Sequence, residues 1–252
     1  MPEPSSTKSS TPVESKAFPH DEEYYMENIV FLVEGYLFSV PRYYFAHASD
    51  IFWSTFSLPP GDGKTQEGSS DSCPFVLEGV SRADFKGLLR VMYPLQMPHL
   101  GNDMNLPRKD WIAALKLATM WNFRNIRQLA ISKLSLDTGI DPVDKVVLAK
   151  EYKVPDWLLA GYHELVKRST PITPLEAARL GLETTVYLFH VREDVCSSEF
   201  AYYSGYKRRE DQNFMEQVKK AFKKELKEVE AAHVEYNALP SSYPPVDMTQ
   251  GK

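Results

Sequence analysis

The stretch from Ile29 to Phe56, IVFLVEGYLFSVPRYYFAHASDIFWSTF, changes period partway along, and that change constrains the fold more than any other feature. Ile29 to Val33 is a continuous β-prone run. Glu34-Gly35 supplies a turn, because glycine tolerates positive φ, and Tyr36 to Val40 returns as a second strand. Pro41 lacks an N–H and suits the first turn of a helix. Tyr44, Phe45, Ala48, Phe52 and Phe56 then recur at three- and four-residue spacing, the period of helices with a buried face. A hairpin is thus expected to run directly into two short helices.

The flanking sequence extends this plan. Residues 1–20 are rich in Ser, Thr and Pro and read as a disordered tail, because they offer too little apolar surface to offset ordering entropy. They hold no apolar signal-peptide segment, and nowhere is there the run of ~18 apolar residues that a membrane span requires. Residues 59–73, PPGDGKTQEGSSDSC, read as a mobile loop. Pro74 to Leu77 resumes a strand. Ser81-Arg82-Ala83-Asp84 has the form of a capping box, opening a helix with Phe85, Leu88, Leu89 and Met92 on one face and a stop before Pro94.

From Arg108 the pattern is helical. Trp111, Leu115, Ala118 and Trp121 mark one buried stripe, and Ile126, Leu129, Ala130 and Leu134 a second. Asp141-Pro142, Pro155-Asp156 and Thr173-Pro174-Leu175-Glu176 are three further helix starts. Residues 207–236 read as one charged helix whose narrow apolar face is Phe214, Val218, Phe222, Leu226 and Val229. That face is about two heptads long, short for an independent coiled coil. Docking on the chain's own body is expected, with partner contact or self-association as the alternative. The sum is an α+β fold, a small sheet covered by helices, followed by an all-α extension.

Groups that would do chemistry do not converge. Gly63-Lys64-Thr65 imitates the end of a phosphate-binding loop, but Leu58 stands where that motif needs glycine and no helix start follows Thr65. None of the six histidines, His20, His47, His99, His163, His190 and His233, sits three or four residues from another His or a Cys, so paired metal ligands are not expected. Cys73 has no base beside it, and there is no Gly-x-Ser-x-Gly elbow. With only Cys73 and Cys196 in the chain, a disulfide framework is excluded and a reducing compartment, cytoplasm and/or nucleus, is expected. A net charge of −5 gives no basic footprint for nucleic acid. The expectation is no enzyme activity, no cofactor, no metal, no direct nucleic-acid contact and no membrane contact.

The ordered blocks IVFLVEGYLFSVPRYYFAHASDIFWSTF, PFVLEGVSRADFKGLLRVMYP and WIAALKLATMWNFRNIRQLAI resemble the BTB/POZ domain. Phe52-Trp53-Ser54-Thr55-Phe56 fills the place of the family's closing step in the helix pair, and Phe85…Leu88-Leu89…Tyr93 that of its F..LL...Y helix. The finer likeness is to a fungal subgroup, and it continues through DPVDKVVLAKEYKVPDWLLAGYHELVKR to ITPLEAARLGLET, covering about residues 22 to 195. The resemblance implies a tail at 1–20, a BTB/POZ domain at 21–136 containing the 59–73 loop, and a helical extension at 137–196. A C-terminal region at 197–238 and a disordered tail at 239–252 complete the division.

The resemblance also implies a non-enzymatic interaction module, homodimeric, acting as scaffold or adaptor toward other proteins. The pairing surface is expected at the first helix, with Arg42, Tyr43, Tyr44 and Phe45 as its residues. Of the acid and His-Arg pair that many members carry around the hairpin, only Arg42 is retained, the other places being Asn28 and Pro41. Two alternatives follow from other members. One is substrate adaptor of a cullin-type ubiquitin ligase, ranked second because Leu58-Pro59-Pro60 stands where a hydrophobic-x-Glu motif is common. The other is a transcription or chromatin regulator working through protein partners.

Overall fold

The computed structural model describes residues 18–21, 24–59, 65–94, 106–197 and 214–238. Strand β1 (Asn28–Val33) and strand β2 (Tyr36–Pro41) form an antiparallel hairpin, in register from Asn28 opposite Pro41 to Val33 opposite Tyr36. Glu34 and Gly35 both take positive φ, 46° and 78°. That is the primed two-residue turn whose twist matches the strands it joins. Strand β3 (Phe75–Val76) adds in parallel on the other side of β1, giving the order β2-β1-β3. β1 is therefore central, which is why Ile29, Val30, Phe31 and Val33 are all buried instead of alternating.

Helix α1 (Arg42–Ala48) follows β2 without a loop, and α2 (Asp50–Ser57) follows α1 after a single residue. Pro41 is the N-cap of α1, one place earlier than its preference for the first turn suggests. Ser49 makes the corner. Its buried hydroxyl donates to the Trp121 carbonyl at 2.6 Å and accepts from the Phe52 amide at 3.2 Å. Phe31, Phe45, Phe52, Phe85, Trp121 and Phe123 pack mostly as tilted and edge-on rings, with Phe31 4.8 Å from Phe45 and Phe52 5.3 Å from Trp121, while Phe52 and Phe123 stack. Such ring pairs add to the area term of burial.

The expected mobile loop at 59–73 is corrected in its second half. Val30 N donates to Gly68 O at 2.8 Å, Gly68 N donates to Cys73 O at 2.8 Å, and Ser70 bridges to Cys73. This segment edges the sheet. Gly68 has φ +82°, and an added Cβ would lie 2.6 Å from Ile29 Cγ1, so no other residue fits without displacement. Residues 60–64, including Gly63 and Lys64, lie outside the described residues, as do 1–17 and 239–252, most of the two expected tails.

Helix α3 (Arg82–Met92) makes only half of its expected box. Ser81 Oγ accepts from Asp84 N at 3.0 Å, but the Asp84 carboxylate is held by Lys116 at 2.6 Å, and Arg82 N turns to Glu34 Oε2 at 2.8 Å. Helix α4 (Arg108–Met120) packs along α3, and α5 (Arg124–Ser135) returns beside α4. The extension stacks α6 (Pro142–Tyr152), α7 (Pro155–Lys167), α8 (Pro174–Leu180) and α9 (Leu182–Ser197). Asp141 caps α6, and Thr173 with Glu176 forms the full reciprocal box of α8, both as expected.

The single charged helix expected at 207–236 is two helices where it is described, α10 (Met215–Ala221) and α11 (Lys223–Asn237), separated at Phe222. Residues 207–213 lie outside the described residues. Phe214, Val218, Phe222 and Val229 are buried and Leu226 partly so, against α7 and α9. The expected docking of this face on the chain's own body is what the structure has.

Candidate interaction surface

Helix α1 is fixed from behind. Arg42 N donates to Glu27 O at 2.8 Å, and Arg42 Nη2 donates to the Phe56 carbonyl at 2.9 Å while its guanidinium lies 4.7 Å from the Phe56 ring centre. The Glu27 carboxylate stands 3.9 Å away. Arg42 therefore clamps the start of α1 to the end of α2. The Tyr93 hydroxyl donates to Pro41 O at 2.7 Å, and burial, then Tyr44 beside it, pushes that phenol's pKa up, so it stays a neutral donor. Phe45 is fully buried among Phe31, Phe52 and Phe123. Its expected place on an interface is corrected: it belongs to the protomer core.

Tyr43 and Tyr44 stay outside, 43% and 44% exposed. They form part of a row of rings. His47 stacks on Tyr43 at 3.9 Å, and its Nδ1–H donates to the Tyr43 carbonyl at 2.8 Å. Tyr43 meets Tyr44 edge-on at 5.6 Å, and Tyr44 meets Tyr93 edge-on at 5.3 Å. The helix thus presents two exposed tyrosines, with the half-buried His47 stacked on one of them. Rings of this kind supply contact area at low entropy cost.

The sequence reading missed the neighbours of this row. Tyr24, Tyr25 and Met26 are exposed, and the bond from Arg42 N to Glu27 O brings the end of that stretch beside the start of α1. Tyr25 stacks on His20 at 3.6 Å. The signal available was a Tyr-Tyr-Met run between acids, without the periodicity that marks an element. Ile51 and Trp53 on α2 are exposed too. The second expected contact face, Phe214, Val218, Phe222, Leu226 and Val229, is covered by the chain itself.

Two clefts among the described residues bear on chemistry. One, about 200 Å³, lies between α4, α6 and α8 and is lined by Ile112, Ile140, Val147 and Leu148 with Arg108 and Arg179 at its mouth. Those arginines are tied to Asp137 and Asp144. The other, about 220 Å³, lies between α9 and the C-terminal helices. There Lys150 donates to Thr184 Oγ1 at 2.6 Å and pairs with Glu225 at 2.8 Å, while the buried Tyr162 hydroxyl donates to Glu225 at 2.7 Å. Burial first, and Glu225 second, raise the Tyr162 pKa, which keeps its proton on this latch. Cys73 is a free thiol. Among the described residues no group of His, Cys, Asp and Glu is placed to hold a metal, and no helix is long and apolar enough to cross a membrane. No protein-family model matches the chain, and no curated protein matches it.

Proposed function

We propose that this chain is a non-enzymatic protein–protein interaction module of the BTB/POZ type. It pairs with a second copy through the outer face of α1 and acts as a scaffold or adaptor. The observation that carries the reading is the exposed pair Tyr43 and Tyr44, with half-buried His47 stacked beside them, on a helix whose other side is locked by Arg42, Ser49 and Phe45. Support also comes from the order of blocks in the sequence, and from a hairpin, helix pair, short strand and helix following one another as that family's plan requires. A pairing face of ordinary size covers about 800 Å² on each partner, more than two tyrosines supply. Tyr24, Tyr25 and Met26 extend the apolar surface next to them.

The test is size-exclusion chromatography with light scattering on the full chain and on Tyr44→Asp. The wild type elutes as a dimer at high micromolar concentration. The variant, which would bury an uncompensated carboxylate, dissociates about a hundredfold or more readily. Its circular dichroism stays native, because Tyr44 is half exposed in the protomer. A Val234→Asp control on α11, also exposed but on another element, leaves the dimer intact. A monomeric wild type, or a dimer indifferent to Tyr44→Asp, contradicts the reading.

A further inference from the structure

Helix α9 has a buried face of mixed character and an exposed apolar one. One faces the body: Thr184, Thr185, Leu188, Val191 and Arg192 are buried, and Arg192 donates to the Leu165 carbonyl at 2.6 Å and the Arg168 carbonyl at 3.0 Å at the end of α7. The other faces solvent. Leu182, Val186 and Phe189, spaced i, i+4 and i+7, form one ridge, and they are 81%, 43% and 40% exposed. An exposed apolar ridge on a helix is the counterpart of the groove-and-ridge contacts by which helices pack.

Charge says what kind of element fits there. Asp84, Asp110, Asp137, Asp144, Glu164, Glu176 and Glu225 each hold a Lys or Arg. On α9, Glu183, Glu193 and Asp194 flank or end the ridge and have no such partner among the described residues. The helix carries no exposed cation to balance them, since Arg192 is its one basic residue besides His190 and is buried. Glu183 also lines the 220 Å³ cleft between α9 and α11. In that cleft Lys150 is already engaged by Glu225 and Thr184, and Lys224 stands 3.9 Å from Glu228 at the open rim.

We infer that the Leu182–Val186–Phe189 ridge of α9 is a docking face for a partner's amphipathic helix with apolar residues at matching spacing and Lys or Arg along its flanks. The apolar ridge supplies the attraction, and the three carboxylates select the partner by sign and orient its approach. One basic side chain of the partner reaches the mouth of the cleft beside Glu183. This face is separate from α1, so one copy can pair through α1 and hold another protein through α9.

Fluorescence anisotropy with three labelled synthetic helices tests the inference on the full chain. One helix has Leu at i, i+4, i+7 and i+11 with Lys flanks. The second keeps the leucines with Glu flanks, and the third keeps the lysines with Ser for Leu. Only the first is expected to bind, with affinity falling as salt rises. Val186→Ser with Phe189→Ser weakens it by about tenfold or more, the scale of two lost apolar anchors. Glu183→Gln with Glu193→Gln and Asp194→Asn weakens it and flattens the salt dependence. Tyr44→Asp leaves it unchanged, which separates this face from the proposed α1 pairing. Circular dichroism of every variant establishes that the fold is kept.

Several results overturn the inference. They are no binding of the Lys-flanked helix at high micromolar concentration, equal binding of the Glu-flanked helix, or binding indifferent to the serine pair. Loss of self-association in the serine pair would make a second copy the occupant. Binding that appears only when residues 198–213 are replaced by an equally long Gly/Ser linker would make this chain its own occupant.

Discussion

Arg127 is the least expected buried residue in the molecule. It is 1% exposed and faces no carboxylate among the described residues. Its Nη2 donates to the Tyr152 carbonyl at 2.7 Å and reaches the Lys153 carbonyl at 3.4 Å, at the C-terminal end of α6. Its guanidinium also lies 4.8 Å from the Tyr236 ring centre, near the end of α11. The carbonyl end of a helix carries partial negative charge, so the cation is met by dipoles in place of an ion. Burial lowers its pKa all the same. Arg127→Met removes the donors and leaves buried carbonyls unpaired, and it should cost about 2–4 kcal/mol in urea unfolding. A neutral substitution would mean that shape alone matters there. The sequence could not show this, because periodicity ranks positions by apolarity. It selected Ile126, Leu129, Ala130 and Leu134, of which Ala130 and Leu134 are buried and Ile126 and Leu129 only half-buried, and it passed over Arg127, which completes the deeper face.

Glu176 illustrates the opposite electrostatic case at the same scale. Its carboxylate takes two bonds from Arg168, at 2.8 and 2.7 Å, and one from Thr173 N at 2.7 Å. Arg168 chiefly, and the Thr173 amide next, hold its pKa at about 2 against an ordinary 4.5. A carboxylate depressed in the folded state contributes stability that is complete above the unfolded value and lost as pH falls through the folded one. Wild type should therefore exceed Glu176→Gln in stability above pH 4.5, and the two should converge toward pH 2 in acid unfolding curves.

Among the elements, α10 and α11 show how tertiary packing overrides pattern. The stripe Phe214, Val218, Phe222, Leu226 and Val229 was legible as an apolar face, and its docking followed from the marginal stability of short isolated helices. The break at Phe222 was not legible, for no Gly or Pro marks it. Phe222 takes φ −101° and ψ 18° and stacks on Tyr162 at 3.9 Å, with Tyr187 edge-on at 5.7 Å. Phe222→Ala should destabilise the chain by about 3–5 kcal/mol. Hydrogen exchange should show α10 and α11 losing protection while β1 and α3 keep theirs. Uniform loss across all elements would contradict a locally docked pair. The 65–73 segment was misread for a related reason, since Gly and Ser signal a loop whether or not it is pinned. Gly68→Ala, strained in φ and crowded by Ile29, should cost more than about 1 kcal/mol.

At the scale of the whole molecule, the sheet end and the helical body are joined through polar contacts as well as apolar ones. Trp157 Nε1 donates to Ser135 Oγ at 2.8 Å, Arg108 pairs with Asp137, and Arg127 reaches from α5 to the end of α6. The order of elements was readable because hairpin turn, caps and prolines are local signals. Which aromatic rings face outward was not, because neighbouring residues such as Tyr44 and Phe45 differ in exposure only through what packs behind α1. Under the proposed function, the exposed rings of α1 are covered by a second copy. Sedimentation equilibrium over a wide concentration range measures this most directly. The mass is expected to rise from 28.8 kDa toward twice that value, and a Tyr43→Asp/Tyr44→Asp chain to stay at the monomer mass throughout. A wild-type chain that keeps the monomer mass at the highest concentration, or a double variant that still doubles, would contradict it.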